Sequence, residues 1–205
     1  MKIKSVFLEY IKTNKKEFIK LLFILFIGIV LGIYFINNAS EKQRTEIISY
    51  VNSLKENLKS ANGINKTALL IQSLKQNTFF ILLIWFLGCT IFGSFFIYIA
   101  IIYKGFSIGY TISAIIATLG VKSGMIFVFI SLVLQNIILL PVLFIISDSG
   151  IKMYKNLIKN RFLNIKTEFF RHTIIMLISL VFVILASFVE VYVSTSFLIF
   201  FKEIL

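Results

Sequence analysis

Long apolar runs separated by shorter polar segments make up most of the chain. The first run extends from Leu21 to Ile36 without a charged residue, and later runs begin near residues 78, 105, 125 and 173. Runs of this length match the hydrocarbon core of a bilayer, which is about 30 Å thick. The pattern therefore predicts an all-α fold, a polytopic transmembrane helical bundle of about five spans.

This pattern divides the chain into nine predicted segments. They are a cytoplasmic basic tail (1–20), the first span (21–36), an extracytoplasmic amphipathic segment (37–77), the second span (78–103), the third span (105–121), the fourth span (125–147), a cytoplasmic basic loop (148–172), the fifth span (173–193) and an extracytoplasmic tail (194–205). The third span is short, since its 17 uncharged residues reach roughly 26 Å. Lysines snorkelling at both of its ends can close the gap.

The distribution of charge gives the predicted orientation. With the amino terminus inside and five crossings, 13 basic residues lie on the cytoplasmic side and eight outside, in agreement with the positive-inside rule. If the third segment were re-entrant, the basic cluster of 152–171 would lie outside, against the positive-inside rule. We therefore predict five crossings. Asn37 and Ala39 make a poor cleavage site, so we expect the first run to be a retained anchor rather than a signal peptide. Basic residues next to spans explain the net charge of +12 without nucleic acid as a partner.

The long polar segment 37–77 contains one apolar stripe. Its members recur at spacings of four, three and four residues, which places them on one face of a helix; they are Ile47, Val51, Leu54 and Leu58. Asn62 and Gly63 are typical of a helix end. The stripe is a candidate partner face, and a helix packed on its own protein's outer surface is the alternative interpretation.

Small residues recur four apart in two predicted spans. They are Gly28 and Gly32 in the first, and Gly105 and Gly109, continued by Ser113 and Ala117, in the third. Such strips let two helix backbones approach closely in lipid. Intramolecular packing and a homo-oligomer both explain them.

Four residues within the last two spans are the candidate structural or functional intramembrane positions. Gln135 and Asn136 lie near the middle of the fourth span, and Pro141 follows and favours a kink there. Polar amides at this depth face protein or water, so they bridge helices or line a solute pathway. Glu190 interrupts the fifth span, where an unpaired carboxylate is costly, and accepts hydrogen bonds there or takes part in function.

Catalytic chemistry is not predicted. His172 is the only histidine and lies at a predicted membrane edge, and Cys89 has no base near it in sequence. The segment 120–124 contains a Lys-Ser pair but lacks the glycines of a phosphate-binding loop. We therefore predict no catalytic residues, no metal site, no cofactor and no enzyme activity.

The second half of the chain resembles the stage II sporulation protein M family of endospore-forming bacteria. The resemblance lies in YKGFSIGYTISAIIATLGVKSG (103–124), in LVLQNIILLPVLFIIS (132–147) with its Gln-Asn pair and proline, and in FVEVYVS (188–194). Ser194 and Thr195 stand where the family's last motif usually runs into a proline.

The resemblance implies a non-enzymatic scaffold of the engulfment complex in the mother-cell membrane at the sporulation septum. It implies as partners the stage II sporulation proteins P and D, peptidoglycan hydrolases that such a scaffold recruits or anchors. The second function hypothesis is a channel or transporter for a small solute or lipid that uses Gln135, Asn136 and Glu190 as its polar path.

Overall fold

The structure, a computed structural model, describes residues 13–59, 65–90, 92–159, 165–194 and 196–197. In this part of the chain every regular element is helical, which confirms the all-α prediction. The helices are α1 (Lys15–Asn37), α2 (Glu41–Lys59), α3 (Lys66–Gly88), α4 (Gly93–Leu119), α5 (Val121–Val128), α6 (Leu134–Lys159) and α7 (Ile165–Phe188). A π-helical turn at Phe129–Val133 joins α5 to α6, and a second at Val189–Ser194 continues α7.

Five helical segments are long and apolar enough to cross a membrane. They are Lys15–Asn37, Lys66–Gly88, Gly93–Leu119, Val121–Asn156 and Ile165–Ser194. Large apolar side chains such as Phe23, Phe79 and Phe182 are exposed on the outside of the bundle, as expected where lipid is the solvent. The predicted multi-pass helical bundle with five spans is confirmed.

The helix boundaries differ from the prediction in the middle of the chain. The predicted second span, 78–103, is not one helix, because α3 ends at Gly88 and α4 begins at Gly93. The turn needs glycine, since a Cβ at Gly93 would lie 2.3 Å from the Leu87 carbonyl oxygen. The predicted third span, 105–121, is the second half of the 27-residue helix α4. Lys104, predicted to lie between spans, is therefore in the middle of α4.

The other helices extend beyond their predicted apolar runs. α1 begins at Lys15 instead of residue 21, α6 continues to Lys159 instead of ending at 147, and α7 begins at Ile165 instead of 173. Charged residues are good helix formers, so the helices run on into the basic segments. The predicted break at residues 62 and 63 lies outside the described residues. The depths at which these helices enter and leave the membrane stay predictions.

Four glycines lie at the contact between the parallel helices α1 and α4. A Cβ on Gly28 would lie 2.3 Å from the Ile102 carbonyl oxygen, and a Cβ on Gly109 would lie 2.1 Å from that of Ile29. Gly32 and Gly105 are equally confined, each with a backbone oxygen of the facing helix at 2.3 Å. In this structure the small residues therefore serve a contact within one chain, and α1–α4 is its most extensive helix pair.

The helices α3, α6 and α7 pack together on the other side of the core. Ile84, Ile146 and Val183 have no exposed surface, and each comes from a different one of these helices. At one end Gly88 lies against Gly150, with 3.2 Å between the Cα of Gly88 and a Cβ built on Gly150. We call this the basic end of the bundle, since it carries Lys20, Lys152, Lys155 and Arg171. Helix α2 lies at the opposite end.

Helix α2 contacts α4, and the predicted apolar stripe is buried or half-buried where it is described. Val51 is 6% exposed and Ile47 is half-buried, while the side chains of Leu54 and Leu58 are outside the described part of the chain. The prediction that this stripe meets a partner does not fit the burial of Val51. The alternative, a helix packed on its own protein, describes the observed contact, because an apolar stripe is buried first against the nearest apolar surface.

Candidate functional site

Glu190 is the centre of a polar cluster inside the helical bundle. It is half-buried and lies in the second π-helical turn, at the end of the fifth span away from the basic end. Its Oε2 accepts hydrogen bonds from the Ser73 hydroxyl of α3 and from the Gln135 amide of α6. Three helices therefore meet at one carboxylate oxygen.

Ser73 connects the carboxylate to a second layer of polar side chains. Its Oγ lies 2.9 Å from the Ser187 Oγ and 3.3 Å from the Asn77 Nδ2. A serine hydroxyl has one proton to donate and two lone pairs to accept with. A carboxylate is the stronger acceptor, so Ser73 donates to Glu190 and accepts from Ser187 and Asn77. All of the hydrogen-bonding capacity of Ser73 is then used.

The first π-helical turn, Phe129–Val133, places Gln135 in this cluster. A π-helical turn inserts a residue into an α-helix and changes the face on which the following side chains lie. The two π-helical turns also contact each other. Pro141 lies within α6, where it has no N–H to donate to the carbonyl four residues earlier.

Asn136 is not part of the cluster, although it is the neighbour of Gln135 in sequence. Its Nδ2 donates to the Leu132 carbonyl at 2.8 Å, so it satisfies a backbone group of the first π-helical turn. Tyr192 is also separate from the Glu190 carboxylate: its ring stacks on Phe188 with 5.6 Å between centroids, and the Lys66 ammonium lies 5.8 Å above it.

Lys104 lies in the middle of α4 with its side chain partly buried in the bundle. Its Nζ lies 5.8 Å from the ring centroid of Phe80 on α3. A cation at this distance from a ring face is attracted to it. An ionisable residue within a span needs partners. Glu190 has them in Ser73 and Gln135, and Lys104 has one in the Phe80 ring.

The arrangement joins three helices at one carboxylate, because the donors Ser73 and Gln135 both point at Glu190. Within the described residues, no three His, Cys, Asp or Glu side chains lie close enough together to hold a metal ion.

A second polar group lies at the basic end and centres on His172. The imidazole is fully buried, with its Nδ1 2.9 Å from the Ser149 Oγ and its Nε2 3.2 Å from the Trp85 carbonyl oxygen. Because a carbonyl only accepts, the proton is on Nε2, and Ser149 donates to Nδ1. The Cys89 thiol donates to the same carbonyl at 3.3 Å. His172 therefore joins α3, α6 and α7.

Several members of these two groups were not predicted from the sequence: Ser73, Asn77, Lys104, Ser187, Ser149 and the packing role of His172. Ser73 and Asn77 were assigned to the extracytoplasmic segment because Lys75 and Gln76 lie between them. One signal could have found Lys104. If the predicted break between the second and third spans is placed at residues 88–93, which begin and end with glycine, the short third span becomes longer and Lys104 lies near its middle.

The fold and its polar cluster define a class: a multi-pass, all-α membrane protein with five candidate spans. A search of curated proteins and a search of solved structures found no match. The family model described as stage II sporulation protein M matches residues 21–195. The chain belongs to the stage II sporulation protein M family, as the resemblance in its second half predicted. That family is not known as one of enzymes.

Proposed function

We propose that this protein is a non-enzymatic scaffold of the sporulation engulfment complex. In this proposal it lies in the mother-cell membrane at the septum and recruits or anchors the septal peptidoglycan hydrolases, the stage II sporulation proteins P and D. The observation that carries the proposal is helix α2, a polar helix seated on the end of the bundle opposite the basic end. That end faces the cell wall if the basic end faces the cytoplasm.

The exposed surface of α2 is the part that we expect to contact a hydrolase. Ile48 is 43% exposed and Tyr50 is 66% exposed, and they flank the buried stripe of Val51 on its two sides. Exposed aromatic and aliphatic side chains on a polar helix are typical anchors of a protein contact. The contact of α2 with α4 and the burial of Val51 support this role, because a fixed helix loses less conformational entropy on binding than a free one.

The test is recovery of the hydrolases with the tagged full-length protein from solubilised sporulating cells. We expect the double change Ile48→Ser and Tyr50→Ser to lower recovery by about tenfold, which corresponds to about 1.4 kcal/mol. Lys166→Ser, on an exposed residue at the basic end, is the matched control and should leave recovery unchanged. Recovery that survives both the double change and deletion of residues 41–60 would refute the scaffold proposal.

We favour the scaffold over a channel or transporter. The candidate polar path needs Gln135, Asn136 and Glu190 to line one pore, but Asn136 bonds to its own helix and Glu190 is occupied by helix-joining contacts. The two functions give different results for Glu190→Gln. Loss of sporulation while the hydrolases are still recovered would favour transport, whereas loss of both together would support the scaffold.

A further inference from the structure

An apolar groove opens on the surface of the bundle beside the first π-helical turn. Its volume is about 590 Å³, within the range of about 300–1,000 Å³ that small-molecule sites occupy. One wall is formed by α5, the π-helical turn and the start of α6, and the other by a residue beyond the second π-helical turn. The described side chains that line it are all apolar: Met125, Ile126, Phe129, Ile130, Leu134 and Phe197. A ligand that fits this lining is itself apolar along its length, as a lipid acyl chain is.

The first π-helical turn makes the longer wall of the groove continuous. In an α-helix, residues five apart lie about 140° from each other around the axis, so Phe129 and Leu134 would face different directions. The extra residue of a π-helical turn reduces this offset, and both side chains line the groove. Gln135, the next residue, donates to Glu190. The π-helical turn therefore builds the groove as well as the polar cluster.

Lys122 lies on the same face of α5 as the groove. It precedes Met125, Ile126 and Phe129 by three, four and seven residues, and residues at these spacings share one face of a helix. Its side chain is exposed, and it belongs to none of the ion pairs of the described residues. Because α4 begins at the basic end and α5 begins where α4 ends, Lys122 lies at the opposite end.

A second lysine lies beside the other wall. The Lys66 Nζ is 3.5 Å from the Ser196 Oγ, and Ser196 directly precedes Phe197 in the chain. Lys66 is the first residue of α3, which ends at the basic end, so it too lies at the opposite end. The positive-inside rule does not account for lysines at this end. One lysine beside each wall of an apolar groove indicates a ligand with an anionic head and an apolar tail.

We propose that the groove is a binding site for an anionic phospholipid, with an acyl chain along the apolar lining and the phosphate held by Lys122 and Lys66. Ammonium groups bind phosphate through charge-assisted hydrogen bonds, and basic pockets between spans bind lipid head groups. A zwitterionic lipid carries a cation of its own, which the two lysines repel. The groove is open to lipid, because Met125 and Phe129 at its edge are 59% and 63% exposed.

Quenching of a tryptophan in the groove by brominated lipid tests this proposal in the full-length protein. Phe129→Trp in a Trp85→Phe background places the only tryptophan in the groove. The protein is reconstituted into phosphatidylcholine vesicles that contain brominated phosphatidylglycerol or, at the same fraction, brominated phosphatidylcholine. We expect stronger quenching by the phosphatidylglycerol. Lys122→Gln and Lys66→Gln should each lower this preference by about fivefold, the fold-change that corresponds to about 1 kcal/mol.

Two controls separate a binding site from general attraction to charged lipid. Tyr34→Trp, in the same background, places the tryptophan at an exposed position near the end of α1 and should be quenched equally by the two lipids. Lys75→Gln removes an exposed lysine nine residues after Lys66, on the opposite face of α3, and should leave the preference of the Phe129→Trp protein unchanged.

Three results would overturn the proposal. The first is equal quenching of the Phe129→Trp protein by the two brominated lipids. The second is a preference for phosphatidylglycerol that persists when both Lys122 and Lys66 are changed to glutamine. The third is a preference that appears only after deletion of residues 198–205, since the occupant of the groove would then be the chain's own carboxyl-terminal segment.

Discussion

Changing Gly109 to alanine tests the tightest of the four glycine contacts between α1 and α4. The added Cβ would lie 2.1 Å from the Ile29 carbonyl oxygen, 2.8 Å from its carbon and 2.9 Å from its Cα. All three atoms are backbone, so no side-chain rotation relieves the clash. Helix α4 must therefore move away from α1 by almost 1 Å before the contact reaches 3.0 Å, the lower limit of real Cβ contacts.

The cost of that movement follows from close packing. A gap of 0.5–1 Å forfeits roughly a quarter to a half of the dispersion energy between facing atoms, and overpacking by a methyl group costs about 1–3 kcal/mol. Alanine returns up to about 1 kcal/mol because it favours the helix more than glycine does. The net expected loss for Gly109→Ala is about 1–2 kcal/mol in the free energy of unfolding.

Titration with dodecyl sulfate, followed by the fluorescence of Trp85, measures this loss. Trp85 is the only tryptophan, and it bonds to Thr173 at 3.3 Å, so its emission reports on helix packing. The matched control is Ala117→Leu, an enlargement on an exposed position of the same helix, which we expect to change stability by less than about 0.5 kcal/mol. Equal or greater stability of Gly109→Ala would refute the reasoning.

Three further predictions concern single side chains. Burial raises the pKa of the Cys89 thiol. At pH 7, maleimide should therefore label this thiol more slowly in the folded protein than in the dodecyl sulfate-unfolded protein, and the difference in rate should narrow as the pH rises. Equal labelling rates at pH 7 would contradict this prediction. His172→Leu leaves the buried partners of His172 unpaired and should lower the free energy of unfolding by about 1–3 kcal/mol. The control Arg171→Leu, at an exposed position, should lower it by less than about 1 kcal/mol. Similar losses of stability in the two variants would refute the bridging role of His172. Val51→Asp should loosen α2 from α4 and speed tryptic cleavage within α2, by about tenfold for each 1.4 kcal/mol lost from the packing of α2. The control Tyr50→Asp, at an exposed position, should leave the cleavage rate unchanged.

The sequence was sufficient for the fold class because apolar run length is a direct property of a membrane span. It predicted the number of candidate spans and the family, but not the break between α3 and α4. The apolar run 78–103 has no charged residue at the turn, where only Thr90 is polar and Gly88 and Gly93 stand on either side. Hydropathy does not distinguish a tight apolar turn from a continuous helix, so this boundary depended on packing that the sequence pattern does not contain.

The polar cluster was partly predictable for a similar reason. Glu190 and Gln135 are conspicuous inside apolar runs, so their burial and their need for partners followed from the cost of polar groups in lipid. Ser73 and Lys104 were not found, because a serine in a polar segment and a lysine next to an apolar run have ordinary surface roles. The contacts of Ser73 with Glu190 and of Lys104 with the Phe80 ring depend on the register of α3 and α4, which the helix break sets.

The most direct test of the account is labelling of single cysteines from outside intact cells, in a Cys89→Ser background. The positions are Ser53, on the exposed side of α2, and Asn156, near the end of α6 at the basic end. The account predicts that a membrane-impermeant maleimide labels the cysteine at Ser53, and labels the one at Asn156 only after the cells are opened. Labelling at Asn156 in intact cells would contradict the orientation, and with it the placement of α2 toward wall-cutting partners.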